Sequence, residues 1–316
     1  GLQAGWRGGC PARRADGAGR PPGLHAIRRG GVARARDAGR PSAVITLRAH
    51  PLSIVAPDRV PPQILTLPQK HELLRDMGVD ALIVVPFTHD FSRWTADRFI
   101  AEFLVAALKV SDVRIGRDFC FGAGREGNLA KLEAAGRKYG FAVQGVDEVT
   151  IRGIRVSSSL VRNAIQKGTM RTVATALART YFIDGRVATG RRLGRKIGFP
   201  TVNVDPANEL HPGGGVYITT SRFETFSRSF ESVTNIGVRP TLYENYATTI
   251  ESHILDFDSN VYGDTVRVYF HRLLRREQQF QSAVELTNQI RMDIASSRRY
   301  FLRYPVRYDE AGYSFP

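Results

Sequence analysis

Between Val32 and Gly168, short apolar runs alternate with stretches whose apolar positions recur at helical spacing. Ala43–Leu47, Ala81–Val85, Val113–Ile115 and Phe141–Val146 read as strands, and Pro68–Met77, Thr95–Leu108 and Gly127–Tyr139 as helices. Thr95 reads as an N-cap, with Asp97 and Glu102 in the two turns that follow it. Strand–helix alternation of this kind predicts a parallel sheet with helices on its faces. From Tyr181 the period changes to two. Phe182–Val187, Gly215–Thr220, Val233–Ile236, Thr249–Leu255 and Thr265–Leu273 are short alternating segments split by Gly, Pro and Asn. That pattern predicts a small antiparallel barrel. One amphipathic helix, about Ser282 to Ser297, follows it, with Val284, Leu286, Ile290 and Ile294 as apolar positions. The change of pattern puts a hinge near Gly168–Thr180.

One run carries unusual chemistry. Gly190 to Asn203, GRRLGRKIGFPTVN, packs three glycines and four cations ahead of a Pro-Thr-x-Asn step. Glycines let a backbone approach a polyphosphate closely, while exposed N–H groups and cations balance its charge. Thr201 and Asn203 alternate, so an extended backbone points both side chains to one face. Their hydroxyl and carboxamide oxygens suit Mg²⁺, which combines a few protein oxygens with substrate phosphates. Alone, such a run is more often a basic surface turn entering a strand.

Composition narrows the alternatives. The chain has 316 residues, enough for two domains with cores of their own. No stretch approaches the ~18 apolar residues of a membrane helix. Cys10 and Cys120 are too few and too far apart for a disulfide framework, which points to a reducing, cytoplasmic setting. The net charge of +15 would allow nucleic-acid binding. Yet Lys numbers only six, and residues 1–41 alone contribute +7. Those 41 residues hold ten Gly, nine Arg, eight Ala and four Pro, too little apolar content for a strand. A transit peptide is a rival explanation of this Arg-rich segment, but it lacks the amphipathic period.

Downstream of FPTVN come NIGVRPT (Asn235 to Thr241), IESHILDF (Ile250 to Phe257), VYGDTVRVYF (Val261 to Phe270) and LLRREQQFQSAVELTNQIRMD (Leu273 to Asp293). In this order and spacing, from about Tyr181 to Tyr300, they closely resemble the riboflavin kinase module of the bacterial bifunctional riboflavin kinase/FAD synthetase family. TLRAHPLSIVAPDRVPPQILTLPQKHELLRDMGVDALIVVPFT (Thr46 to Thr88), VRIGRDFCFGAGREGN (Val113 to Asn128) and VSSSLVRNAIQKGTM (Val156 to Met170) resemble the same family's FMN adenylyltransferase module. The likeness fails upstream of Val32. There the family pattern is Gly-x-Phe-Asp-Gly-x-His-x-Gly-His, whereas this chain reads GRPPGLHAIRRGGV, with His25 present and the second histidine and Phe-Asp absent. Codons for Gly-His-Gln-Ala, read one base later, spell Ala-Ile-Arg-Arg, the run Ala26 to Arg29. A frame-shifted or misassigned start over residues 1–31 is therefore the expectation.

The resemblance implies an α/β parallel-sheet nucleotidyltransferase (Rossmann-like) domain over 32–179. It implies an antiparallel β-barrel riboflavin kinase domain with a C-terminal helix over 180–301, and a tail over 302–316. It implies riboflavin, FMN and ATP as substrates and Mg²⁺ as cofactor, with no nucleic-acid or membrane partner. It makes Glu251 the general base. Thr201 and Asn203 become ligands of Mg²⁺ and phosphate, under a flap of Gly190, Gly194, Arg195, Lys196 and Gly198. Arg275 and Glu277 become flavin-side contacts. In the first module, Ser157, Ser158 and Arg162 are the expected ATP contacts together with His25, since a helix start and a bidentate Arg suit phosphate. An ordinary serine N-cap is the bland alternative for the serines. Asp118 and Asn128 are expected to line the flavin or nucleotide cleft, and His50 to be flavin-side or structural. His253 reads as a packed or surface residue outside the site. Three functions stay open: a bifunctional kinase and adenylyltransferase, a riboflavin kinase with a crippled second module, and a basic nucleic-acid-binding protein.

Overall fold

A computed structural model describes residues 31–148, 150–151, 154–190, 194, 197–239, 247–308 and 314–315. The chain divides into two compact units, one reaching residue 157 and the other made of 158–316 with the short segment 63–66. All but Gly31 of the segment expected to be aberrant lies outside the described residues, as do His25, Arg195 and Lys196.

In the first unit β1 (Ala43–Leu47) pairs in parallel with β2 (Ala81–Val85), after the crossover helix α1 (Leu67–Asp76). β3 (Asp112–Gly116) pairs in parallel with β4 (Ala142–Val146) across helix α3 (Leu129–Tyr139), and α2 begins at Ala96–Arg98. The Thr95 hydroxyl caps α2 by accepting from the N–H of Arg98, as the sequence predicts. The helix then continues over Phe99–Ala107 with π winding, which no periodicity argument foresaw. The two strand pairs share one core of Leu47, Val85, Phe99, Ile100, Leu104, Ile115 and Leu132. The parallel α/β reading therefore holds.

The second unit opens with α4 (Ser158–Lys167) and α5 (Met170–Leu177). The segment where the pattern put a hinge thus carries a helix, and α5 packs on barrel strands through its buried Met170, Val173 and Ala174. Six strands follow: β5 (Tyr181–Ala188), β6 (Val202–Pro206), β7 (Gly215–Phe223), β8 (Ser229–Arg239), β9 (Ala247–Ile254) and β10 (Thr265–Arg275). They close into an antiparallel barrel in the order β8-β9-β6-β5-β10-β7. Helix α6 (Ala283–Arg303) follows Ser282, whose hydroxyl caps it by accepting from the N–H of Glu285, and runs six residues past the predicted end.

Period-two alternation sends Ile183, Val187, Val204, Tyr217, Ile250, Val266, Val268 and Phe270 to the barrel interior, where all are buried. Five hydroxyls join them. Thr219 hydrogen-bonds Ser232 at 2.8 Å and Thr234 at 2.7 Å; Ser221 bonds Ser232 at 2.9 Å; Thr234 donates to Ser252 at 2.9 Å. Apolar burial cannot explain this cluster; mutual satisfaction can, since each hydroxyl both donates and accepts. Thr219→Val keeps the shape but strips partners from Ser232 and Thr234, so it should cost about 1–3 kcal/mol. A denaturant midpoint unchanged from the parent would show that the network contributes nothing.

Candidate active site

The barrel register sets three polar residues in a row. Glu251 on β9 lies directly opposite Asn203 on β6 and, on its other side, opposite Asn235 on β8. Their chain neighbours Val204, Thr234 and Ser252 are buried inside, so the row faces outward and is partly exposed. Opposed residues on one sheet face hold their Cβ atoms about 4.5–5.5 Å apart. A carboxylate is thus flanked by two carboxamides on a rigid surface. Asn235 opens the run NIGVRPT, to which the sequence alone gives no role in the site.

Two glycines bring the preceding loop onto this row. A Cβ on Gly190, just past β5, would lie 2.0 Å from Nδ2 and 2.6 Å from Oδ1 of Asn203. A Cβ on Gly194 would lie 2.3 Å from the Phe199 carbonyl oxygen and 3.3 Å from Oγ1 of Thr201. The Gly194 carbonyl accepts N–H bonds from Ile197 (3.2 Å) and Phe199 (2.8 Å), closing a turn beneath Thr201. Gly198 holds φ +87°, a left-handed conformation suited to glycine. Thr201 precedes β6 and Asn203 is its second residue, and each sets an oxygen donor beside one of these glycines, Thr201 by Gly194 and Asn203 by Gly190. This glycine-walled pair of neutral oxygen donors fits a hard cation that keeps waters and phosphates among its ligands.

The flavin-side candidates separate. The Glu277 carboxylate lies over two glycines, 2.9 Å from a Cβ placed on Gly214 and 3.2 Å from one placed on Gly237. Gly237 is also approached by Thr249 Oγ1 and Asn235 Nδ2, so Glu277 stands on the Asn235 side of the row. Arg275 goes elsewhere. Its guanidinium makes a bidentate pair with Asp293 of α6, at 3.1 Å and 2.9 Å to one oxygen, and lies 5.6 Å from the Phe280 ring. Gln289 also donates to Asp293, a buried carboxylate.

In the first unit, Asp118 accepts from Arg155, whose other nitrogen pairs with Glu148 at 2.8 Å. Asn128 is the N-cap of α3, its Oδ1 accepting from the N–H of Lys131 at 2.9 Å. His50 makes a turn, with Nδ1 accepting from the N–H of Leu52. Ser157 ends this unit. In the second, Ser158 opens α4 with Arg162 one turn on. Burial pulls the Arg162 pKa below the usual guanidinium value, and the charge of Glu209 opposes that shift.

Two families match the chain: riboflavin kinase over residues 177–301 and FAD synthetase over residues 23–160. The bifunctional riboflavin kinase/FMN adenylyltransferase of Escherichia coli (strain K12) is 35% identical over 266 residues, which span 84% of either chain. The chain belongs to this family. The bifunctional riboflavin kinase/FMN adenylyltransferases of Haemophilus influenzae (34% identity, 85% of this chain and 86% of the relative) and Bacillus subtilis (32%, 84% of each) agree. A crystal structure described as a macrolide-efflux protein from Streptococcus pneumoniae shares the fold, with TM-score 0.79 over 94% of this chain and 97% of that one at 24% identity. The riboflavin kinase match takes in the whole barrel and all but the last two residues of α6; the FAD synthetase match ends within the first turn of α4. Among the described residues no helix is long and apolar enough to cross a membrane.

Proposed function

We propose that this chain transfers the γ-phosphoryl group of ATP to riboflavin on the outer face of the barrel, and then joins FMN to the AMP portion of a second ATP. The observation that carries the first step is the register of Asn203, Glu251 and Asn235 beside the glycine loop. The 5′-hydroxyl oxygen of the ribityl chain attacks the γ-phosphorus, the bond to the bridging oxygen breaks, and ADP leaves. Glu251 accepts the hydroxyl proton. Thr201 and Asn203 would hold Mg²⁺, whose charge balances that of the triphosphate. Gly190, Gly194 and Gly198 bring backbone N–H groups close to the phosphates, and Arg195 and Lys196, outside the described residues, are assigned to the phosphates by their place in the sequence between Gly194 and Gly198. Glu277 takes the flavin side. Arg275 acts there through its pair with Asp293, by fixing the end of β10 on α6.

For the second step, FMN phosphate attacks the α-phosphorus of ATP and pyrophosphate leaves. Ser157, Ser158, Arg162 and His25 are the assigned triphosphate contacts. Asp118 and Asn128 are assigned to the flavin, Asn128 through its amide N–H₂, since its oxygen caps α3. The free thiol of Cys120 is compatible with a reducing, cytoplasmic setting. A second reading, kinase alone, is favoured by the missing second histidine of the triphosphate motif, because losing a preorganised charge stabiliser costs about 10²–10³-fold.

Purified chain incubated with riboflavin and Mg-ATP separates the readings by chromatography. FAD appearing after FMN supports both steps, and FMN without FAD leaves the kinase alone. Absence of FMN removes the proposal altogether. Asn203→Ala should raise the Mg²⁺ concentration needed for half-maximal FMN formation; an unchanged Mg²⁺ titration would remove Asn203 from the metal.

A further inference from the structure

His253 lies two residues past Glu251 on β9 and so faces the same outer side. The ladder between β9 and β6 runs from Ile250↔Val204 to Ser252↔Val202. Beyond it the next residues of the incoming chain are Thr201 and Pro200, and proline has no N–H with which to extend a ladder. The imidazole continues the attachment instead. Its Nδ1 donates to the carbonyl oxygen of Pro200 at 2.7 Å, and its ring stands edge-on to Phe199, with centroids 5.7 Å apart. From the other side, Phe199 is held by its N–H bond to the Gly194 carbonyl. Gly198 and Pro200 are exposed, so this short segment has little core burial to fix it. Its position depends on directional contacts.

We propose that His253 is a positioning residue for the phosphate end of the kinase site. By gripping the Pro200 carbonyl it fixes the peptide that leads into Thr201, and with it the direction in which the Thr201 hydroxyl points. The inference rests on the assignment of Thr201 and Asn203 to metal and ATP. It asks nothing of the imidazole except an N–H aimed at a carbonyl. The ring contact with Phe199 sets the orientation of that N–H.

Three substitutions separate donor from ring. Asn places an amide N–H close to where Nδ1 stands but has no ring. Phe keeps the ring and loses the donor, and Ala loses both. For Ala and Phe, the Kd of Mg-ADP by calorimetry and the KM for Mg-ATP should each rise about five- to tenfold, the size expected for one hydrogen bond. The KM for riboflavin and the melting temperature should stay near the parent values, and Asn should restore most of the nucleotide affinity. Values for Ala and Phe within twofold of the parent overturn the proposal. So does a rise in both KM values accompanied by a lowered melting temperature, which marks general loosening, or rescue by Phe rather than Asn. Thr201→Val is measured alongside. If it weakens Mg-ADP binding while the His253 variants do not, only the positioning role fails; if neither does, the metal assignment fails with it.

Discussion

Glu251→Gln should lower FMN formation by roughly 10²–10⁴-fold, the range for losing a general base. Gln keeps the shape of the side chain and can still hydrogen-bond, but it cannot take the ribityl hydroxyl proton. The row makes the test clean, because residue 251 stays between Asn203 and Asn235 and the ladders on both sides are backbone bonds. The KM values for riboflavin and Mg-ATP should change little, since the loss falls on proton transfer rather than on ground-state binding. The check is single-turnover FMN formation in a variant whose melting curve matches the parent. Turnover near that of the parent would take Glu251 out of the mechanism and make Asp or Glu residues elsewhere on the barrel face the ones to test.

Gly190→Ala should be nearly as harmful to catalysis while leaving the barrel folded. The added methyl group would sit 2.0 Å from the Asn203 amide nitrogen, so one of the two must move. Asn203 moves most easily, by rotating its carboxamide, because its backbone is held in the β6 ladders. The cost in stability is therefore small, but the oxygen assigned to the metal is displaced. A displacement of about 1 Å in a positioning group can cost 10²-fold in rate. Gly185→Ala is the contrast, since its Cβ would strike the Asp205 carbonyl oxygen at 2.3 Å, a backbone atom that cannot rotate away. That variant should lose stability first. If Gly190→Ala turned over normally, Asn203 would not be gripping anything the reaction needs.

Periodicity made the architecture legible: the switch from helical spacing to alternation at Tyr181 is the start of β5. The chemistry of Gly190 to Asn203 was legible too, because glycine, cation and alternating oxygen donors are local properties of a sequence. What could not be read was the choice of partners. Asn128 offered a carboxamide to any ligand, and its oxygen caps a helix that begins one residue later. Arg275 ends the last barrel strand, yet its fork is matched by Asp293, eighteen residues on. Asn235 meets Glu251 only through the register that sets the two opposite each other, which no spacing along the chain encodes. His253 looked like an ordinary strand histidine for the same reason: its carbonyl partner lies fifty-three positions away. The hydroxyl cluster was hidden by its composition, since Ser and Thr in a strand read as solvent-facing until the barrel closes.

Parity ties these observations together. The alternation that points Asn203, Glu251 and Asn235 outward is the same alternation that turns Val204, Ser252 and Thr234 inward. A slip of one residue along β8 or β9 would swap the two sets, putting a carboxylate among aliphatic side chains and opening the hydroxyl cluster to water. The register shifts in the barrel fall between β10 and β7, around Phe270–Arg275, while the β8–β9–β6 ladders run without a break. A one-residue change in strand length therefore meets existing irregularity on the β10–β7 wall and an unbroken ladder on the other. On that second stretch the row proposed to react shares its register with the core, so a change of strand length there would disturb the fold along with the proposed site.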